Sequence, residues 1–235
     1  MISLTSRIEM AGQRMTVWWP VASLYLIMGA GGLWHALGLF QAAMSVIAGP
    51  LLIVLAIAVF LVTRPVLSPT MRTRFDVWSA FVVVAGFLVE WAGVESGFIF
   101  GTYHYGDVLQ PQLFGVPVSI GFAWLLMLLS SLALAQRILP RFVGNNALIL
   151  APVTGALMVV FDLLMEPAAV ALEYWTWGGA PPVQNYIAWF VLGTLFALVG
   201  KSASIFRTSV PIFVVHTWFA QALYFLIVNM SSKLP

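Results

Sequence analysis

The chain has no cysteine in 235 residues and very little charge. Without cysteine there are no disulfides and no thiolate metal sites. Charged residues make up 8% of the chain, against roughly 25% in a soluble domain. Most side chains therefore do not face water. The net charge is only +2, and the basic residues fall in short connections, where they act as topology signals rather than as a nucleic-acid patch. No G-x-x-x-x-G-K-[ST] phosphate loop is present, and the three histidines show no H-x-x-x-H or H-E-x-x-H pairing, so neither a metal nor another cofactor is expected. An ordinary cleavable signal peptide is also missing: the first long apolar run begins near Val17 and lacks a small-residue exit.

What is abundant is apolar length. Hydrophobic residues make up 62% of the chain, and a helical crossing needs about 20 of them in a row. The runs place seven spans, at Val17–Leu39, Ala43–Val62, Val77–Phe98, Val116–Gln136, Ala147–Val170, Tyr186–Leu198 and Ser209–Val228. They are continuously apolar rather than alternating, which favours helices over a β-barrel. The expectation is an all-α polytopic membrane protein, a seven-transmembrane-helix bundle forming a single domain over residues 1–235. Arg7, Arg14, Arg64, Arg72, Arg74, Arg137, Arg141, Lys201 and Arg207 all fall on one side of it, and only Lys233 on the other. The positive-inside rule then puts the amino terminus in the cytoplasm, in a prokaryotic cytoplasmic membrane. The stretch from Arg64 to Asp76 reads as the longest cytoplasmic loop, stiffened by Pro65 and Pro69.

The acidic residues are distributed asymmetrically. Glu9 and Asp76 sit at the cytoplasmic edge, where they solvate it. Glu90, Glu95, Asp107, Asp162, Glu166 and Glu173 all fall in the outer half or beyond. At about 1.5 Å per residue, Glu90 lies roughly 20 Å up the third span and Asp162 roughly 22 Å up the fifth. Glu95 and Glu166 form a second level pair above them, and His35 is near their height. Asp162 and Glu166 are four apart and share a helix face. Glu90 shares a face with Gly93 and Gly97, in a Gly93-x-x-x-Gly97-x-x-x-Gly101 run that reads as a smooth seam for a helix or a flat ligand. An ionisable group in a membrane helix marks a functional site by default; the competing interpretation is a carboxyl bonded to a Trp or Tyr to lock helices together. Trp175, Trp177, Tyr103 and Tyr105 have a similar alternative, an ordinary interfacial aromatic belt. His216, far from the acids, reads as a packing histidine.

Two blocks in this region resemble a known family. One is Glu90-Trp-Ala-Gly-Val-Glu-Ser-Gly-Phe-Ile-Phe-Gly-Thr-Tyr-His-Tyr105 with Gly115-Val-Pro117. The other is Asp162-Leu-Leu-Met-Glu-Pro167 with Trp175-Thr-Trp177 and Pro182-Val-Gln-Asn185. Together they resemble the carotenoid biosynthesis membrane proteins of the CruF type, over close to half the chain. The family pattern has Thr-Gly where this chain has Ser96-Gly97.

The resemblance implies a carotenoid hydratase. Such an enzyme adds water across the terminal C=C of an acyclic carotenoid end to give a tertiary alcohol, with no cofactor. An alkene is a poor base, so a strong acid must sit against it; the tertiary carbocation that follows is captured by water, and a carboxylate takes the surplus proton. Paired carboxyls in a low dielectric supply both roles. Asp162 or Glu90 is the candidate acid, and Glu95 or Glu166 the candidate base. Trp91, Trp175, Trp177 and Tyr103 are candidates to steady the cation through their ring faces, and Asn185 and His35 to hold water. The polyene would come laterally from the bilayer. The nearest rival is a membrane lycopene cyclase, which shares the protonation step. A non-enzymatic transporter or binding protein is a further alternative, although its acids should cross the bilayer rather than cluster on one side. A retinal protein is disfavoured because no lysine lies in the seventh span.

Overall fold

The structure is a computed structural model. It describes residues 4–144, 146–200 and 210–231, with residues 4–17, 141 and 143 as backbone. Lys201, Arg207, Ser209 and Lys233 lie outside the described residues, as do the side chains of Arg7, Glu9, Arg14 and Arg141.

The protein is all-α in its framework. The helices are α1 (Leu4–Ala36), α2 (Gln41–Thr63), α3 (Pro69–Ser96), α4 (Val118–Ile138), the short α5 (Arg141–Gly144), α6 (Ala147–Ala171), α7 (Val183–Val199) and α8 (Ile212–Ser231). Each expected span thus overlaps a helix. Among the described residues five helices are long and apolar enough to cross a membrane, α2, α3, α4, α6 and α8. α7 is apolar but only 17 residues long.

The main departure is at the start of α3. The expected loop from Arg64 to Asp76 is a 3-10 turn at Arg64–Val66, two extended residues, and then helix from Pro69. Pro69 begins that helix because its fixed φ and missing N–H suit a first-turn position. Asp76 therefore stands inside a helix, where it accepts two hydrogen bonds from Arg64, at 2.8 and 2.9 Å, instead of only facing water.

α4 is the central pillar. It is buried over most of its length and contacts α2, α3, α6, α7 and α8. α3 and α6 do not pack along one another, as level carboxyls on neighbouring helices would suggest; α4 stands between them. α3 approaches α4 closely because Gly86 has no side chain: a Cβ there would sit 2.8 Å from the Trp124 side chain. α1 lies along α8, and α6 along α7.

The seam expected along α3 is not formed. α3 ends at Ser96, and Gly97 caps it at φ 64°, a left-handed conformation that favours glycine. Gly101 is beyond the helix, and the Phe100 ring covers the face of Gly93.

Among the described residues, four short strands lie in the connections at the end of the bundle reached by α3 and α6. β1 (Tyr103–Tyr105) pairs antiparallel with β4 (Trp175–Trp177). β2 (Gln112–Leu113) pairs with β3 (Val116–Pro117). Hydrogen bonds from Gly106 to the Tyr174 carbonyl and from Gly178 to the Thr102 carbonyl continue the first pairing at both ends.

Candidate active site

The strand pair β1–β4 decides where the aromatic side chains go. Residues two apart in a strand point to the same face, so Tyr-x-Tyr and Trp-x-Trp each present both rings together. In this register Tyr103 faces Trp177 and Tyr105 faces Trp175. The two tyrosines converge on Glu90: Tyr103 donates to Oε2 at 2.5 Å and Tyr105 to the same oxygen at 2.9 Å. Trp124 of α4 donates its indole N–H to Oε1 at 2.9 Å. The two tryptophans converge on Glu166, whose Oε2 accepts from Trp175 at 3.1 Å and from Trp177 at 2.8 Å. Burial and the neighbouring Glu90 hold the phenols of Tyr103 and Tyr105 above their usual titration range, so both remain donors.

Asp162 is treated differently. It is fully buried, at 0% exposure, and accepts one hydrogen bond, from Asn185 Nδ2 to Oδ2 at 2.6 Å. Its Oδ1 is buried with no hydrogen-bond partner. Glu90 and Glu166 are 5% and 4% exposed. Among the described residues three carboxyls therefore lie inside the protein, one with three donors spread over both oxygens, one with two donors on a single oxygen, and one held by a single amide.

All three open onto one cavity of about 620 Å³, within the range of small-molecule sites. The walls are mainly apolar side chains of α1, α2, α4, α6 and α8. Near the carboxyls they are aromatic: Tyr103, Trp175, Trp177, Trp124 and Trp189. Tyr103 and Trp177 are 5.0 Å apart between ring centroids, and Trp124 stacks on Trp189 at 4.8 Å.

Of the residues singled out from sequence, Glu90, Asp162, Glu166, Tyr103, Trp175, Trp177 and Asn185 line this cavity. Glu95 and Trp91 are exposed and do not; Trp91 packs on Phe114 at 5.8 Å. A helix turns about 100° per residue, so neighbours of Glu90 one and five positions on look away from the face that Glu90 occupies. His35 stands behind the wall, edge-on to Tyr224 at 5.9 Å, with Nε2 buried and unpartnered. Asp107 and Glu173 are exposed. Trp124, Tyr174 and Tyr224 are cavity residues that sequence reasoning missed. Trp124 sits in a uniformly apolar run and carries no pattern of its own. The period-two Tyr-x-Tyr and Trp-x-Trp spacing was the available signal for paired strands.

Residues 17–233 match the family of carotenoid biosynthesis proteins. The chain belongs to that family. A segment of 116 residues is 28% identical to a bisanhydrobacterioruberin hydratase of Haloarcula japonica, covering 47% of this chain and 39% of that protein. The chain thus spans well under two thirds of that relative's length. No solved structure matches. Family membership and the long apolar helices together make this a membrane protein of carotenoid metabolism.

Proposed function

We propose that this family member is a carotenoid hydratase that adds water to the terminal C=C of an acyclic carotenoid end. The observation that carries the reading is that three buried carboxyls line a cavity whose walls are otherwise mainly apolar and aromatic. The hydrogen bonds divide the work among them. Asp162 Oδ1, bare of donors, is the atom that holds the proton and delivers it to the less substituted alkene carbon. The π electrons form the new C–H bond, leaving a tertiary cation. Glu90 accepts three hydrogen bonds, a pattern suited to a carboxylate, and provides fixed negative charge near the cation. The rings of Tyr103, Trp175 and Trp177 add their negative faces. Glu166, with both indoles on one oxygen, directs the other at a water. It takes the proton that the water loses as its oxygen bonds the cation. Asp162 and Glu166 share a face of α6, so the proton returns over one helical turn. His35 and Asn185 serve as supporting groups, Asn185 by orienting Asp162.

The reading extends to topology. α1, α7 and the five helices α2, α3, α4, α6 and α8 form a seven-span bundle with a cytoplasmic amino terminus. Arg64, Arg72 and Arg74 at the α2–α3 end and Arg137 at the end of α4 mark the inner face. The carboxyls then lie toward the outer face.

Expression in a host that makes lycopene, an acyclic carotenoid, tests the reaction. Mass spectrometry of the pigments is expected to show a gain of one or two waters. An isomer of unchanged mass with cyclic ends would instead identify a cyclase, and unchanged pigment a non-enzymatic protein.

A further inference from the structure

Among the described residues, the cavity borders the outside of the protein along one wall. Among its described lining residues, those that are also exposed on the outside of the protein all belong to α1 and α2: Leu26, Ile27, Trp34 and Ile47. Leu26 is 73% exposed and Ile47 49%, yet both border the same space as the buried Asp162. No exposed lining residue comes from α3, α4, α6, α7 or α8. α1 and α2 are joined by a short turn over residues 37–40, but they touch little along their lengths, because α1 lies on α8 and α2 on α4. Small residues, Ala30 and Gly31 on α1 and Ala48 on α2, line the space between them. A Cβ at Gly31 would reach only ordinary contact with Met44, at 3.4 Å.

We propose that the gap between α1 and α2 is a lateral passage to the bilayer. A bound polyene lies through it, with one end at the carboxyls and the remainder in lipid. Cavity size supports this. At about 620 Å³ the cavity is within the roughly 300–1,000 Å³ of sites that hold a drug-sized molecule, so it has room for the end of a polyene. The wall chemistry supports it as well. The exposed rim is hydrocarbon apart from the Trp34 indole N–H, so a hydrocarbon chain crosses it with little cost from polar groups, whereas a water-soluble ligand would gain little from it. One consequence is that the protein grips a single end at each visit, leaving the far end outside its recognition. The inference rests on the reading of the cavity as a polyene site, but not on what chemistry follows.

The natural lack of cysteine makes a direct test practicable. Ile27→Cys and Ile47→Cys are introduced together and joined by a short bifunctional maleimide in the purified full chain. Lycopene is offered in phosphatidylcholine vesicles, and its arrival is read by quenching of tryptophan fluorescence, which needs no turnover. Uptake is expected to slow about tenfold or more relative to the same variant before linking, and linking after loading is expected to slow release similarly. Ala48→Trp, which narrows the gap without a linker, is expected to slow uptake in the same direction. Uptake unchanged by both the link and Ala48→Trp overturns the passage. If the unlinked protein never binds the polyene, the hydratase reading falls with it. Normal uptake without hydration would overturn that reading and leave the passage standing.

Discussion

Asn185 grips one oxygen of Asp162 at 2.6 Å and leaves the other without a partner inside the protein. A buried polar atom without a partner costs about 1–3 kcal/mol, so the arrangement favours a function over packing. Asp162→Asn removes the proton and keeps the shape. It is expected to lower turnover about 10²–10⁴-fold while the detergent-solubilised protein elutes and melts as before. Turnover within a few-fold of the parent would remove Asp162 from the donor role.

On the proposed reading Asn185, which donates to Asp162, acts through that carboxyl rather than on the substrate. Asn185→Ala is expected to lower kcat more than it raises KM, because the carboxyl is misaimed while the cavity still holds the polyene. Asn185→Gln or Asn185→Asp should not restore the rate fully, since neither places an amide N–H at the same point. A change confined to KM would make Asn185 a substrate contact instead.

Glu90 differs from the other carboxyls because three donors depend on it. Glu90→Gln places an NH₂ group where an acceptor was, against Tyr103, Tyr105 or Trp124. The variant is expected to lose stability, by about 1–3 kcal/mol for each donor left unpaired, as well as activity. Thermal unfolding in detergent measures the first effect and pigment analysis the second. Glu166→Gln leaves fewer donors unpaired and is expected to unfold closer to the parent temperature.

Glu95 provides the contrasting case. It is exposed and lines no part of the cavity. Glu95→Gln is expected to leave turnover within about twofold of the parent, as exposed substitutions away from special features do. A large loss on that substitution would bring the second level pair back into the mechanism.

Much of this architecture was legible because membrane burial leaves simple marks. Apolar runs located each long helix, and the rarity of acids drew attention to Glu90, Asp162 and Glu166. What stayed hidden depends on contacts between distant segments. Glu95 and Glu90 carry the same side chain, and only the packing of α3 on α4 through Gly86 decides which faces inward. Trp124 is one more apolar residue until that packing turns its N–H to Glu90. The strands β1 and β4 are three residues each, too short for composition to reveal, and the same aromatics suit a membrane belt. The α3 start was misplaced because charged residues at Arg72, Arg74 and Asp76 look like a loop. Proline at a helix start and the Arg64–Asp76 pair make them helical instead.

The most direct test of the central claim is hydration in oxygen-18 water, followed by mass spectrometry, with the purified protein and lycopene in vesicles. The account predicts that the parent protein yields a tertiary alcohol carrying one heavy oxygen at each hydrated end, and that Asp162→Asn, still folded and still binding the polyene, yields none. Labelled alcohol from Asp162→Asn at the parent rate, or an unlabelled cyclic isomer from the parent, would contradict it.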